Sequence, residues 1–141
     1  MKPGGRKASF RRDEDGAAAV EFAFVGPIMI MLMFSILCYG GYFWIAHAVQ
    51  QLANDSARAA VSGLDDAERT SLAQASLAAG MGHYAYLNPN AAVVTVARQN
   101  QDVAINVVYD ASGSAFWGMS KLVPMPSSTI ERRAVVRLGG Y

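Results

Sequence analysis

Cysteine occurs once, at Cys38, and histidine twice, at His47 and His83. The chain therefore closes no internal disulfide, and neither imidazole has a second imidazole or a carboxylate at metal-ligand spacing. A glycine-rich phosphate loop, a nucleophile elbow and a metal motif are all missing, so no catalytic residue, metal or cofactor is expected. Both histidines read as surface or interfacial side chains. Cys38 reads as a small buried hydrophobe, with crosslinking between subunits as the alternative. Charge is scarce as well: 16% of residues are charged and the net charge is +1, which gives no reason to expect a nucleic-acid partner. Above all, no charged side chain stands between Glu21 and Asp55.

What fills that gap is apolar. Gly16 to Ala46 (GAAAVEFAFVGPIMIMLMFSILCYGGYFWIA) is long enough, at ~1.5 Å per residue, to cover the ~30 Å of a bilayer's hydrocarbon, and it is read as one transmembrane helix. A secretory signal would have a shorter apolar core and a small-residue cleavage site after it, and neither is present. The arm before the helix holds Lys2, Arg6, Lys7, Arg11 and Arg12 against Asp13, Glu14 and Asp15, whereas residues 47–141 balance their charges. The positive-inside rule then keeps residues 1–16 in the cytoplasm and sends the C-terminal part across the membrane. Residues 1–15, polar and without apolar periodicity, are expected to be disordered.

Glu21 is the exception in the apolar stretch. A carboxylate entering lipid costs on the order of 2–3 kcal/mol and commonly faces a partner or a wet cavity, though within a turn of the headgroups it can also snorkel. Gly16, at the abrupt change from polar arm to Ala17-Ala18-Ala19, is either a flexible hinge or a place where a protease can close on the backbone. A cut between Gly16 and Ala17 would put a new ammonium four residues before Glu21, on the same helical face, and so supply the missing counter-charge. Further along, Gly26 and Pro27 mark the expected kink, because proline removes a donor and presses on the carbonyl of Ala23. Gly40 and Gly41 offer a thin place for another helix to approach, or are ordinary membrane-helix composition. Tyr39, Tyr42, Phe43 and Trp44 cluster at the far end and set the outer boundary near Tyr42 to His47.

Beyond the membrane the helical period continues. Gln50, Gln51, Asn54, Asp55 and Arg58 lie on one face and Ile45, Val49, Leu52, Ser56, Ala59 and Ala60 on the other, predicting a stalk over residues 47–62 that Gly63 ends in a left-handed conformation. A second helix is expected from Asp65 or Asp66 to Gly80 or Gly82, with acids in its first turn. After Asn88-Pro89-Asn90, residues 91–98 and 102–110 read as an antiparallel hairpin, and residues 128–138 as a third strand. Between them Phe116, Trp117, Met119 and Leu122 form an apolar flap. Arg133 and Arg137 share strand parity, which suits a solvated sheet face, or contact with anionic cell-surface polymers. The expected fold is α+β: a long N-terminal transmembrane helix extending as a stalk, a short second helix and a small three-stranded antiparallel sheet. The domain reading is a basic leader (1–16), a membrane helix (17–46), a stalk (47–62) and an external domain (63–141).

Arg12, Gly16, the run A-A-A-V-E-F-A-F with Glu21 fifth after the glycine, and Pro27 resemble the N-terminus of TadE-like pseudopilins of tight-adherence (Tad/Flp) pilus systems. Ala57-Arg58-Ala59-Ala60 is similar to a stretch that follows the helix in that family. The resemblance implies cleavage after Gly16 by a prepilin peptidase and a role for Glu21 in registering the subunit. It also implies a minor, non-enzymatic part in pilus assembly, with the peptidase, other pilins or pseudopilins and the Tad secretion platform as partners in a hetero-oligomer. The expected location is the bacterial inner membrane, single-pass, with the C-terminal domain periplasmic or incorporated in the pilus. The alternative is an uncleaved single-pass anchor displaying a ligand- or partner-binding module.

Overall fold

The computed structural model describes the backbone of residues 10–139 and the side chains of residues 16–139. Three helices and three strands follow in the order α1 (Phe10–Val61), α2 (Asp66–Met81), β1 (Ala92–Gln99), β2 (Asp102–Asp110), α3 (Ala115–Gly118) and β3 (Thr129–Arg137), with a 3-10 turn at Pro89–Ala91 before β1. The fold is α+β, as the sequence pattern leads one to expect. Internal contacts divide the chain into two units, one ending at Ile36 and the other running from Leu37 to Tyr141.

In the first unit, α1 starts earlier than the sequence indicates. Residues 10–15, expected to be disordered, are helical, and so is Gly16. Arginine and glutamate are good helix formers, and one glycine costs only ~1 kcal/mol relative to alanine, too little to break a helix supported on both sides. The expectation of disorder for residues 1–9 lies outside the described residues. From Gly16 to Leu37 nearly every side chain is exposed, only Gly26 and Ser35 being partly covered. Ser35 turns its hydroxyl back to donate to the Met31 carbonyl at 2.8 Å, which removes an unsatisfied donor from an apolar surface.

In the second unit, burial on α1 steps by three and four residues through Cys38, Gly41, Ile45, Val49, Leu52, Ser56 and Ala60, the stripe that a helix presents to a core. Gln51, Asp55 and Arg58 stay exposed on the opposite side. The helix ends at Val61 through tightened bonds from Ser62 and Gly63 to the carbonyls of Ala59 and Ala60. Gly63 does not take the expected left-handed conformation. Its lack of a side chain serves space instead, since a Cβ would lie 2.7 Å from Arg69 Cγ and 2.8 Å from the Arg69 amide nitrogen.

At the start of α2 two bonds cap the helix reciprocally. The Asp65 carboxylate accepts from the Glu68 amide at 2.7 Å, and the Glu68 carboxylate accepts from the Leu64 amide at 2.7 Å. Arg69, Ala73, Leu77 and Met81 then recur every fourth residue on the buried face. Gly80 lets α2 close on α1: a Cβ there would stand 2.5 Å from Leu52 Cδ2.

The sheet is a meander of order β1-β2-β3, both pairs antiparallel. Asn100, in the two-residue link between β1 and β2, has φ 57°, a left-handed conformation that asparagine tolerates. Val103, Ile105, Val107 and Tyr109 of the central strand face inward and join Val94, Ile130 and Ala134 in one core with α1 and α2. Covering by two helices is what gives three strands a stable hydrophobic face.

Candidate membrane-anchoring and processing site

The candidate processing residues all lie in helical backbone. Gly16, Ala17 and Glu21 are exposed residues of α1, and Ala17 and Glu21, four apart, share a face. A Cβ on Gly16 would meet nothing within 4 Å, although the Gly16–Ala17 bond itself lies within the helical backbone. Among the described residues, neither ion pair involves Glu21; both centre on Asp66, with Arg69 at 2.9 Å and Arg98 at 3.9 Å. Helical structure continues through Gly26 and Pro27 without interruption. At Gly26 a Cβ would touch the Phe22 ring at 3.5 Å, an ordinary contact.

Around these residues the helix surface is apolar enough to cross a membrane. Within Gly16–Val61 an 18-residue window reaches a mean hydropathy of 2.2, and 6% of that window is buried inside the chain. Phe22, Phe24, Ile28, Met31 and Met33 are each more than half exposed. So large an uncovered apolar surface is stable only against lipid or against other apolar helices.

Sequence reasoning left the apolar flap without a docking site. The structure places it against the lower part of α1 within the second unit. The Phe116 ring fills the space where Gly41 has no side chain, the Tyr39 hydroxyl donates to the Pro124 carbonyl at 2.8 Å, and the Tyr42 and Trp117 rings stand 6.0 Å apart. The thin place at Gly41 thus receives the chain's own α3 segment, while Gly40 faces open space. An aromatic cluster between glycines was the only sequence signal for this contact.

The remaining polar candidates are dispersed. His47 and His83 are exposed, one on α1 and the other in the turn after α2, Cys38 is buried and in no disulfide, and among the described residues no three His, Cys, Asp or Glu side chains gather around a common point. Arg133 and Arg137 do share the exposed sheet face, with Val135 between them. The Asp110 carboxyl is held below the usual carboxylate range by the Ser112 backbone amide, which donates to it at 2.9 Å. Tyr86 is raised above the ordinary phenol value by partial burial and then by Tyr84. Neither arrangement makes a nucleophile or an acid–base pair.

Helix and domain together define a protein with one N-terminal helix suited to single-pass membrane anchoring and a small α+β unit following it. Residues 16–58 match the model of the family described as TadE-like protein, the family that the Gly16, Glu21 and Pro27 pattern resembles. No curated protein and no solved structure matches.

Proposed function

We propose that the chain is a minor pseudopilin of the Tad/Flp pilus machinery, a non-enzymatic subunit needed for pilus assembly. In this reading it crosses the bacterial inner membrane once, arm inward, and a prepilin peptidase cuts it between Gly16 and Ala17. The observation that carries the proposal is the uncovered apolar surface from Gly16 to Leu37 with Glu21 near its start, inside the family-matched segment. Such a surface calls for lipid first and neighbouring subunits afterwards. Glu21 would then pair with the new Ala17 ammonium of its own chain or of a neighbour, which fixes the stagger between subunits. Other pilins or pseudopilins and the Tad secretion platform are the partners this role requires.

Mass spectrometry of the mature N-terminus, from a host with the matching peptidase, tests the processing step. An Ala17 terminus is expected, and an intact Met1 terminus overturns it. One observation favours a second reading, the uncleaved single-pass anchor displaying a binding module: α1 runs through the Gly16–Ala17 bond, so a peptidase must first unwind it. Glu21→Ala separates the two. The pseudopilin reading predicts that pili are lost while the variant still fractionates with membranes, whereas an uncleaved anchor leaves pilus counts unchanged.

A further inference from the structure

The flap between Ser114 and Pro126 lies at a level on α1 that can be compared with the bilayer. Burial on the helix begins at Cys38, which is fully covered, and the flap meets the helix at Tyr39 and Gly41. Counting from Phe22, the first residue after the Glu21 charge, ~30 Å of hydrocarbon at ~1.5 Å per residue takes about 20 residues and ends near Gly41. The helix residues that the flap touches are therefore the last ones expected to lie at lipid depth.

The flap's chemistry suits that level. Leu122 is 64% exposed and stands beside exposed Lys121, an apolar side chain next to a cation able to reach headgroup phosphates. Phe43 and Trp44 of α1 are also exposed, and Trp44 packs at a tilt against Tyr86 with centroids 4.6 Å apart, giving the aromatic composition that favours a membrane–water boundary. The backbone is prepared independently. Met119 and Ser120 donate to Phe116 and Trp117, and Leu122 and Val123 both donate to Met119. Pro124 and Pro126 have no amide hydrogen, and their carbonyls accept from the Tyr39 hydroxyl and from the Trp117 indole at 3.2 Å. These bonds satisfy part of the segment's backbone, as a non-helical segment requires where water is scarce, while the Ser114 hydroxyl stays buried without a partner.

We propose that Ser114–Pro126 is a lipid-contacting foot, which rests in the outer interfacial layer with Leu122 at the acyl boundary and Lys121 among the headgroup phosphates. The proposal depends on the single-pass anchor reading, so its test must tell the two apart. The full chain carrying Cys38→Ala is given one new cysteine by Leu122→Cys, Leu64→Cys or Met31→Cys. Each is labelled with an environment-sensitive NBD fluorophore and reconstituted in phosphatidylcholine/phosphatidylglycerol vesicles. Lipids with nitroxides at headgroup or mid-chain depth and aqueous iodide serve as quenchers.

Position 122 should be quenched most by the headgroup nitroxide and be roughly threefold less accessible to iodide than position 64, as an interfacial segment requires. Position 31 should respond to the mid-chain nitroxide. If 31 responds but 122 is as open to iodide as 64, or is shielded from iodide and both nitroxides alike, the foot is overturned and the anchor stands. If 31 fails to respond to lipid quenchers, the anchor reading falls and the foot falls with it.

Discussion

Gly40 and Gly41 are adjacent in sequence and opposite in environment, which makes them a sharp test of packing at the level of single residues. A Cβ on Gly40 meets nothing within 4 Å, so Gly40→Ala removes only glycine's conformational freedom and should stabilise the second unit by about 0.5–1 kcal/mol. A Cβ on Gly41 would collide with three atoms of the Phe116 ring, including the ring carbon nearest its own backbone, so the whole side chain must move. Gly41→Ala should therefore destabilise by about 1–3 kcal/mol, as overpacked sites do, and loosen the flap. Denaturant unfolding of both variants in the same detergent micelle checks the difference in sign. The sequence showed the pair as a thin place, but the partner lies 75 positions away in Phe116, and no local period can announce a contact at that range.

Elements were more legible than contacts, because each carries its own period and punctuation. The Asn88-Pro89-Asn90 turn and the β-branched residues after it marked β1 and β2, and the run from Ser128 marked β3, all to within a residue, while the acids before Ala67 marked the start of α2. Helix α3 was missed because four residues are too few to show a period, and the early start of α1 was missed because charged residues before a membrane helix look the same whether coiled or helical. The prediction at this scale concerns α2, whose first turn depends on two side chains bonded reciprocally to backbone amides. Asp65→Ala removes the bond to the Glu68 amide and should cost about 1 kcal/mol, whereas Asp65→Asn, which keeps an acceptor oxygen, should cost a few tenths. Thermal unfolding followed by the far-ultraviolet helical signal distinguishes them. Equal losses from both would show that charge at the helix terminus, rather than the hydrogen bond, supplies the stabilisation.

At the scale of the molecule, the divide after Ile36 separates a surface that needs an environment from a unit that supplies its own core. Ile45, Val49 and Leu52 of α1 are as deeply buried as Ile105 and Val107 of the sheet, so this part of the helix is structural to the domain and not merely its tether. A fragment comprising residues 37–141 should therefore fold cooperatively without detergent. A fragment comprising residues 47–141 loses Cys38, Gly41, Ile45 and Ala46 from the buried stripe. Full burial of one large aliphatic side chain contributes about 1.5–3 kcal/mol, and the flap would lose its seat at Gly41 as well. Against a typical domain stability of about 5–15 kcal/mol that deficit is large, so the shorter fragment should unfold at markedly lower urea concentration or populate a partly unfolded state. Urea titrations of the two fragments at equal concentration provide the measurement. Coincident midpoints would mean that residues 37–46 serve the membrane alone, and that the burial at Cys38, Gly41 and Ile45 contributes nothing to holding the sheet against its helix.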